Sequence, residues 1–304
     1  MTILSTSAFY ERSTLNMNTL RKQAESLQAQ IASGQRLSRS SDDPVAAARL
    51  RELARADTIS AASLSNANRA NADLTLADSA VAEIANNLAR AQELATQAAN
   101  GTLNDAQRQI IGEQLANIKA NLIALANSRD SAGHALFGGE AAGNAYSTDG
   151  SGNAVYIGTS SSNELPLGDG QSVVRGVTGP EVFNFTHNGT STDLFAVIGT
   201  LAATLSSGTG DPTAAANEAL GAMNAGLEKI TTTQTVLGAR MNWVDLNIER
   251  YQRQGEMRAD EQSVIGSTDV SSAITQLQQM MTVLEASQAS FVKLANLSLF
   301  NLIQ

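Results

Sequence analysis

The chain has 304 residues, 42% of them hydrophobic but only 4% aromatic, and about one residue in six is alanine. Such a composition builds cores from small side chains between closely packed helices, and the absence of cysteine excludes disulfides, thiolate metal sites and cysteine nucleophiles. With two histidines, a net charge of −9 and no dense basic cluster, the chain holds little material for metal or acid–base chemistry and is a poor nucleic-acid binder.

The charge is unevenly spread. Residues 1–60 carry eight Arg/Lys against six Asp/Glu, residues 61–265 are strongly acidic, and residues 266–304 hold only Asp269, Glu285 and Lys293. No window reaches the about 18 continuous apolar residues of a membrane span. The start Met1-Thr-Ile-Leu-Ser lacks the basic and apolar regions of a secretory signal, so any export is expected without a cleaved signal peptide.

Near the N-terminus, Met17, Leu20, Ala24, Leu27 and Ile31 recur at steps of three and four and predict a helix ending at Gly34. Arg36 and Arg39 fall in the loop that follows. Ser41-Asp42-Asp43-Pro44 has the form of a helix start, with carboxylates placed to cap free N–H groups and proline at the first helical position. That reading outweighs a catalytic carboxylate pair. The series Leu74, Ala77, Val81, Ile84, Leu88, Ala91, Ala95, Ala98 predicts a helix from Pro44 to Asn100, about 80 Å long. Asn100-Gly101 ends it, and Asn104-Asp105 opens a third, with Ile111, Leu115, Ile118, Leu122 and Leu125 on one face.

Punctuation is concentrated next. Twelve of the 23 glycines lie between Gly133 and Gly189, around the short runs Ala154–Ile157, Ser172–Val174 and Glu181–Phe185, which predict strands and turns. Asp149-Gly-Ser-Gly-Asn153 spaces oxygen side chains as a calcium loop does. However, Ala154 and Ser160 stand where glycine and glutamate belong, so a hairpin turn is expected. Asp211-Pro212 opens the longest heptad series: Leu220, Met223, Leu227, Ile230, Gln234, Leu237, Met241, Val244, Ile248, Tyr251, with Trp243 flanking it. After Gly266-Ser-Thr-Asp269 comes the last series: Val270, Ile274, Leu277, Met281, Leu284, Gln288, Phe291.

A repeat averaging 3.5 residues suits left-handed coiled-coil packing. The expected architecture is mainly α with a β-rich insertion: an elongated antiparallel helical-bundle rod whose N- and C-terminal helices pair as a coiled coil on assembly. The segments are an assembly helix over 1–40, a first rod part over 41–132, the β-rich insertion over 133–195, a second rod part over 196–265 and a C-terminal assembly helix over 266–304. The first and last helices carry apolar stripes with no partner in their own arm. Met17, Leu20, Leu27 and Ile31 are therefore expected to face Ile274, Leu277, Leu284 and Phe291, within one chain and with neighbouring copies. The apolar end, Leu294 to Ile303, is too short to span a bilayer and has only Lys293 beside it, so a buried assembly helix fits better than membrane insertion. His134 and His187 have no Gly-x-Ser-x-Gly elbow or HExxH pattern, and no Walker loop or complete dinucleotide fingerprint occurs. No catalysis, cofactor or metal is expected.

Several segments carry a resemblance. Gly34-Gln-Arg-Leu-Ser-Arg-Ser-Ser-Asp-Asp-Pro-Val-Ala-Ala-Ala48, Gly133-His-Ala-Leu-Phe-Gly-Gly139, Ala154-Val-Tyr-Ile-Gly158, Gly179-Pro-Glu-Val-Phe183 and Leu294-Ala-Asn-Leu-Ser-Leu-Phe-Asn-Leu-Ile303 occur in an order and spacing that resembles the flagellin superfamily, in particular its hook-associated branch. The resemblance implies an extracellular axial protein of the bacterial flagellum, an adaptor between hook and filament. Its partners would be itself, hook-side axial proteins and flagellin, and it would pass unfolded through the type III export apparatus with an export chaperone. Two other readings are a filament-forming flagellin and, from another class, a secreted adhesion or translocator-like module. The second of these lacks a stacked-aromatic platform and a basic tail.

Overall fold

The computed structural model describes residues 2–130 and 132–300, with side chains described from residue 8 to residue 294. Among them are seven helices and six strands: α1 (Thr2–Ser33), α2 (Pro44–Ala98), α3 (Asp105–Ala126), β1 (Tyr146–Thr148), β2 (Ala154–Tyr156), β3 (Glu164–Gly168), β4 (Gln171–Val174), α4 (Gly179–Phe183), β5 (Asn184–His187), β6 (Thr190–Asp193), α5 (Leu194–Ser207), α6 (Pro212–Gly266) and α7 (Val270–Phe300). The chain is mainly helical with a small strand-containing insertion, as its periodicity predicts. No described helix is long and apolar enough to cross a membrane.

The helix starts follow from short polar side chains. The Asp43 carboxylate accepts from Ala46 N at 3.0 Å, Asn104 from Gln107 N at 2.9 Å, Asp193 from Ala196 N at 2.9 Å, Asp211 from Thr213 N at 2.9 Å and Asp269 from Ser271 N at 3.1 Å. Each satisfies N–H groups that a helix leaves without partners. Gly34 ends α1 with φ of 68°, a left-handed conformation in which a Cβ is strained.

The chain forms two compact units, one made of the residues up to Thr58 with those from Gln254 onward, the other of Ile59–Arg253. The second unit holds a continuous apolar core. It joins Leu74, Val81, Ile84 and Leu88 of α2, Leu115 and Leu122 of α3, Leu194, Ile198 and Leu201 of α5, and Met223, Ile230, Leu237 and Val244 of α6. Alanines fill the remaining α2 positions, which lets neighbouring helices approach closely. The strands make three separate antiparallel hairpins, β1–β2, β3–β4 and β5–β6, rather than one sheet. Tyr146 of β1 joins an aromatic cluster in the core with Phe137, Phe183 of α4 and Phe195 of α5, their ring centroids 4.6–6.1 Å apart. The β3–β4 hairpin is tied to the helices by polar contacts: Asn66 donates to Pro166 O at 3.0 Å, Tyr251 to Leu167 O and Arg240 to Gly176 O.

One local expectation changes. Glu181–Phe183 is not a strand but the end of the one-turn helix α4. Thr178 and Glu181 form a capping box in which Thr178 N and Oγ1 both donate to the Glu181 carboxylate, at 2.6 and 3.0 Å, and Pro180 stands in the first turn of the helix. Only from Asn184 does the chain extend into β5. Helix α5 buries Leu194, Ile198, Leu201 and Leu205 on one face, at steps of four, three and four, and leaves Ala196, Thr200 and Ala203 exposed. Asp149–Asn153 is the expected hairpin turn. The Asp149 carboxylate is taken up by Ser151 N and Asn153 N at 2.9 and 2.8 Å and by the Asn153 amide at 3.1 Å.

Close helix packing predicts opposite outcomes at two glycines. A Cβ at Gly112 of α3 would stand 2.9 Å from Ala202 O and 3.2 Å from Ser206 N of α5, whereas one at Gly238 of α6 meets nothing within 4 Å. Gly112→Ala is expected to destabilise by about 1–3 kcal/mol through overpacking. Gly238→Ala is expected to stabilise by about 0.5–1 kcal/mol through helix propensity. Urea denaturation of the two variants measures both.

Candidate assembly interface

Helices α1 and α7 lie side by side and antiparallel. At one end the Tyr10 hydroxyl donates to Leu294 O at 3.3 Å and the Tyr10 and Phe291 rings meet edge to face with centroids 5.3 Å apart. At the other, Gln35 pairs with Ser267 in an antiparallel bridge. Between these ends Met17 borders the same grooves as Leu284, Ser287 and Phe291. On α1 the half-buried positions include Tyr10, Ser13, Met17, Leu20, Ala24, Leu27 and Ile31, a row at alternating steps of three and four, with Ala8 and Gln30 beside it. On α7 the corresponding row is Ala273, Leu277, Met280, Leu284, Ser287 and Phe291. Both rows are uncharged: Glu11, Arg12, Arg21, Lys22 and Glu25 of α1 and Glu285 and Lys293 of α7 are all exposed.

Of the residues expected at this interface, Met17, Leu20, Leu27, Ile31, Leu277, Leu284 and Phe291 occupy the seam, while Ile274 lies one position off it, 41% exposed. Two heptad phases pass through Leu277, Leu284 and Phe291. The larger side chains of Ile274 and Met281 favour one phase on hydrophobicity, and the chain packs on the other, through Ala273, Met280 and Ser287. Small residues at alternate seam positions let two helices approach, a signal that size-based reading passes over. In consequence Val270, Ile274 and Met281 form a second apolar row on α7 that α1 does not cover, and Phe9 and Leu15 of α1 are open as well, Leu15 at 60%.

The helix-start turn divides its two acids between tasks. Asp42 collects Ser38 N, Ser38 Oγ and Arg39 N at 3.1, 3.0 and 2.8 Å and so holds the loop, while Asp43 caps α2. Ser41 is exposed, and Pro44 is the first residue of α2. Beyond this turn the α2 and α6 segments of the first unit are joined by polar rungs. Arg49 grips Glu261 through two bonds of 2.6 and 3.0 Å, and Asp57 accepts from Arg258 at 2.6 Å and from Gln262. The arginine bonds hold the Glu261 and Asp57 carboxyls below their ordinary range, and the Ala46 N–H with the Arg36 guanidinium does the same for Asp43.

The histidines serve structure in the second unit. His187 Nε2 stands 3.2 Å from Glu218, and His134 Nδ1 lies 3.5 Å from Asp130. Asp130 shares Arg175 with Asp73: the guanidinium lies 3.8 and 3.6 Å from their carboxylates, and the two acid side chains are only 5% and 6% exposed. Burial raises the Asp73 carboxyl pKa. Among the described residues no group of three or more His, Cys, Asp or Glu side chains is arranged to hold a metal.

This fold is shared with flagellar hook-associated proteins. A putative flagellar hook-associated protein from Vibrio parahaemolyticus superposes with a TM-score of 0.68 at 22% identity, covering 74% of this chain and 99% of that one. The flagellar junction protein FlgL from Legionella pneumophila gives 0.60 at 16% identity, covering 72% and 99%. In sequence, residues 4–142 match the bacterial flagellin N-terminal helical region. The flagellar hook-associated protein 3 of Escherichia coli (strain K12) is 28% identical over 293 residues, 90% of each chain. The chain is thus similar to the flagellin superfamily over residues 4–142 and, over most of its length, to hook-associated protein 3.

Two predictions follow from the charges. Carboxyls held below their ordinary pKa bind fewer protons in the folded chain, so their stabilisation is complete above about pH 4–5 and is lost as pH falls through the depressed values. Calorimetry at pH 6 and pH 3 should therefore show the first unit losing stability in acid, with part of that loss absent in Asp57→Asn. In the second unit, Arg175→Met leaves two buried carboxylates without their cation and is expected to cost about 3–5 kcal/mol, read by urea denaturation.

Proposed function

We propose that this chain is a structural axial subunit of the bacterial flagellum, an adaptor that joins hook to flagellin filament by assembling through α1 and α7. The observation that carries the reading is incomplete burial. The two chain ends share one seam, yet Val270, Ile274 and Met281 remain an uncovered row at heptad spacing. Covering such a row contributes about 25 cal/mol per Å² of apolar surface, and helices of the same kind are the complementary surface. Further copies of this chain supply them, as do hook-side axial proteins and flagellin, whose termini the family resemblance makes alike. In this reading the chain works outside the cell, after passage through the type III export apparatus with a chaperone. Its role is mechanical rather than catalytic.

The test is addition of the purified chain to isolated hook ends, followed by electron microscopy with and without flagellin. A limited layer at the hook end, required before filament grows, is the expected result. Long filaments from this chain alone would make it a flagellin, and glycan or liposome binding without any layer would make it an adhesion module. Leu20→Asp and Leu277→Asp should raise the concentration needed for the layer about tenfold or more, the loss of roughly one buried leucine contact. Melting of residues 59–253 should not change.

A further inference from the structure

The two segments that connect the terminal helices to the rest of the first unit, residues 34–43 and 266–269, touch along a very short ribbon. Arg36 N donates to Gly266 O at 2.8 Å and Thr268 N to Gly34 O at 3.0 Å, around the Gln35–Ser267 bridge. A ribbon this short does not hold a direction by itself. Apolar packing adds little, because Leu37 and Leu50 beside it are only half-buried. What remains is the Arg36 side chain. Its Nε donates to Ile265 O at 2.9 Å, one of the last carbonyls of α6, and its Nη2 lies 3.3 Å from Oδ2 of Asp43, whose other oxygen caps α2. One guanidinium thus closes the C-terminus of α6, where a cation is favoured, and engages the carboxylate at the N-terminus of α2, where an anion is favoured. Its own backbone is meanwhile part of the ribbon that α1 and α7 emerge from. The rigid fork of donors suits this double grip, and a lysine ammonium on a flexible stem does not reproduce it.

We propose that Arg36 is a positioning residue: it latches the two connectors into one joint and so fixes the direction in which the α1–α7 pair leaves the adjoining turns of α2 and α6, before any partner is met. Asp42 stiffens the loop between Arg36 and Asp43 through its three donors, so the spacing of the latch is built into the chain. The Arg36 and Asp43 side chains are 43% and 35% exposed, so the ionic half of the grip is screened by salt while the bond to Ile265 O is not. The consequence for assembly rests on the axial-subunit reading, but the latch itself does not.

The experiment uses the full chain, whose lack of cysteine allows clean labelling. Spin labels at Lys22→Cys on α1 and Glu256→Cys on α6 each sit about 15–18 Å along their helix from the joint, at 1.5 Å per residue, so their separation reports its angle. The parent is expected to give one narrow distance distribution that broadens in 1 M NaCl. Arg36→Ala should at least double its width at low salt, Arg36→Lys should fall between, and Asp43→Asn, which keeps a good N-cap, should broaden modestly and lose the salt response. Unchanged helicity by circular dichroism excludes unfolding as the cause. A distribution in Arg36→Ala equal to the parent's, or a salt response that survives in Asp43→Asn, overturns the proposal. In the hook-end test, if the competent direction falls to about a tenth of the population, Arg36→Ala should need about tenfold more protein. Leu277→Asp should need about tenfold more protein for the layer while its distance distribution keeps the salt response that Asp43→Asn loses, which separates failure of the seam from failure of the latch.

Discussion

The two ends of the chain bury one apolar face each against the other. Tyr10 meets Leu294, 284 positions further along the chain, and between Met17 and Phe291 the seam runs without a charge. Helices α2 and α6 are both 55 residues long, and the hairpins and α5 all lie between Tyr146 and Ser207, after α3 and before α6.

The two units are held together by different physics. In the second, alanine, leucine and isoleucine interlock in a dry core, and hydrophobic burial is insensitive to salt and to mild acid. In the first, apart from Ala47, Leu53 and Ala273, cohesion comes from the half-buried seam and from Arg36, Arg49–Glu261 and Asp57–Arg258. Partly exposed ion pairs are individually weak, but they are directional, which apolar contacts are not. A segment whose task is to present helices at a set angle gains more from direction than from strength.

Much of this was legible in the residues, and the exceptions share a cause. Helix starts at Pro44, Asp105 and Pro212 and the end at Gly34 are local events, written in capping side chains and a single left-handed glycine. The heptad rows of α1, α2 and α6 are likewise local in period. The α7 row is ambiguous because both phases contain Leu277, Leu284 and Phe291, and only the partner helix decides between Ile274 and Ala273. Glu181–Phe183 looks like a strand until the Thr178–Glu181 capping box is noticed. The Arg49–Glu261 and Asp57–Arg258 rungs join residues about two hundred positions apart. No period in the chain announces them. They become visible only once α2 and α6 are placed together.

The ambiguity of α7 also bears on why such a helix suits assembly. A helix with one apolar row has one partner and is then saturated. Rows offset by one position, 273–280–287 and 274–281–288, share Leu277, Leu284 and Phe291 and face about 100° apart at the others, since successive residues turn by that angle. The first row is occupied within the chain, by residues that are smaller at Ala273 and Ser287 and so allow close approach. The second presents Val270, Ile274 and Met281 outward. Burying the internal seam therefore does not compete with burying the outer row. A chain can fold its ends together and still keep the surface by which it joins others.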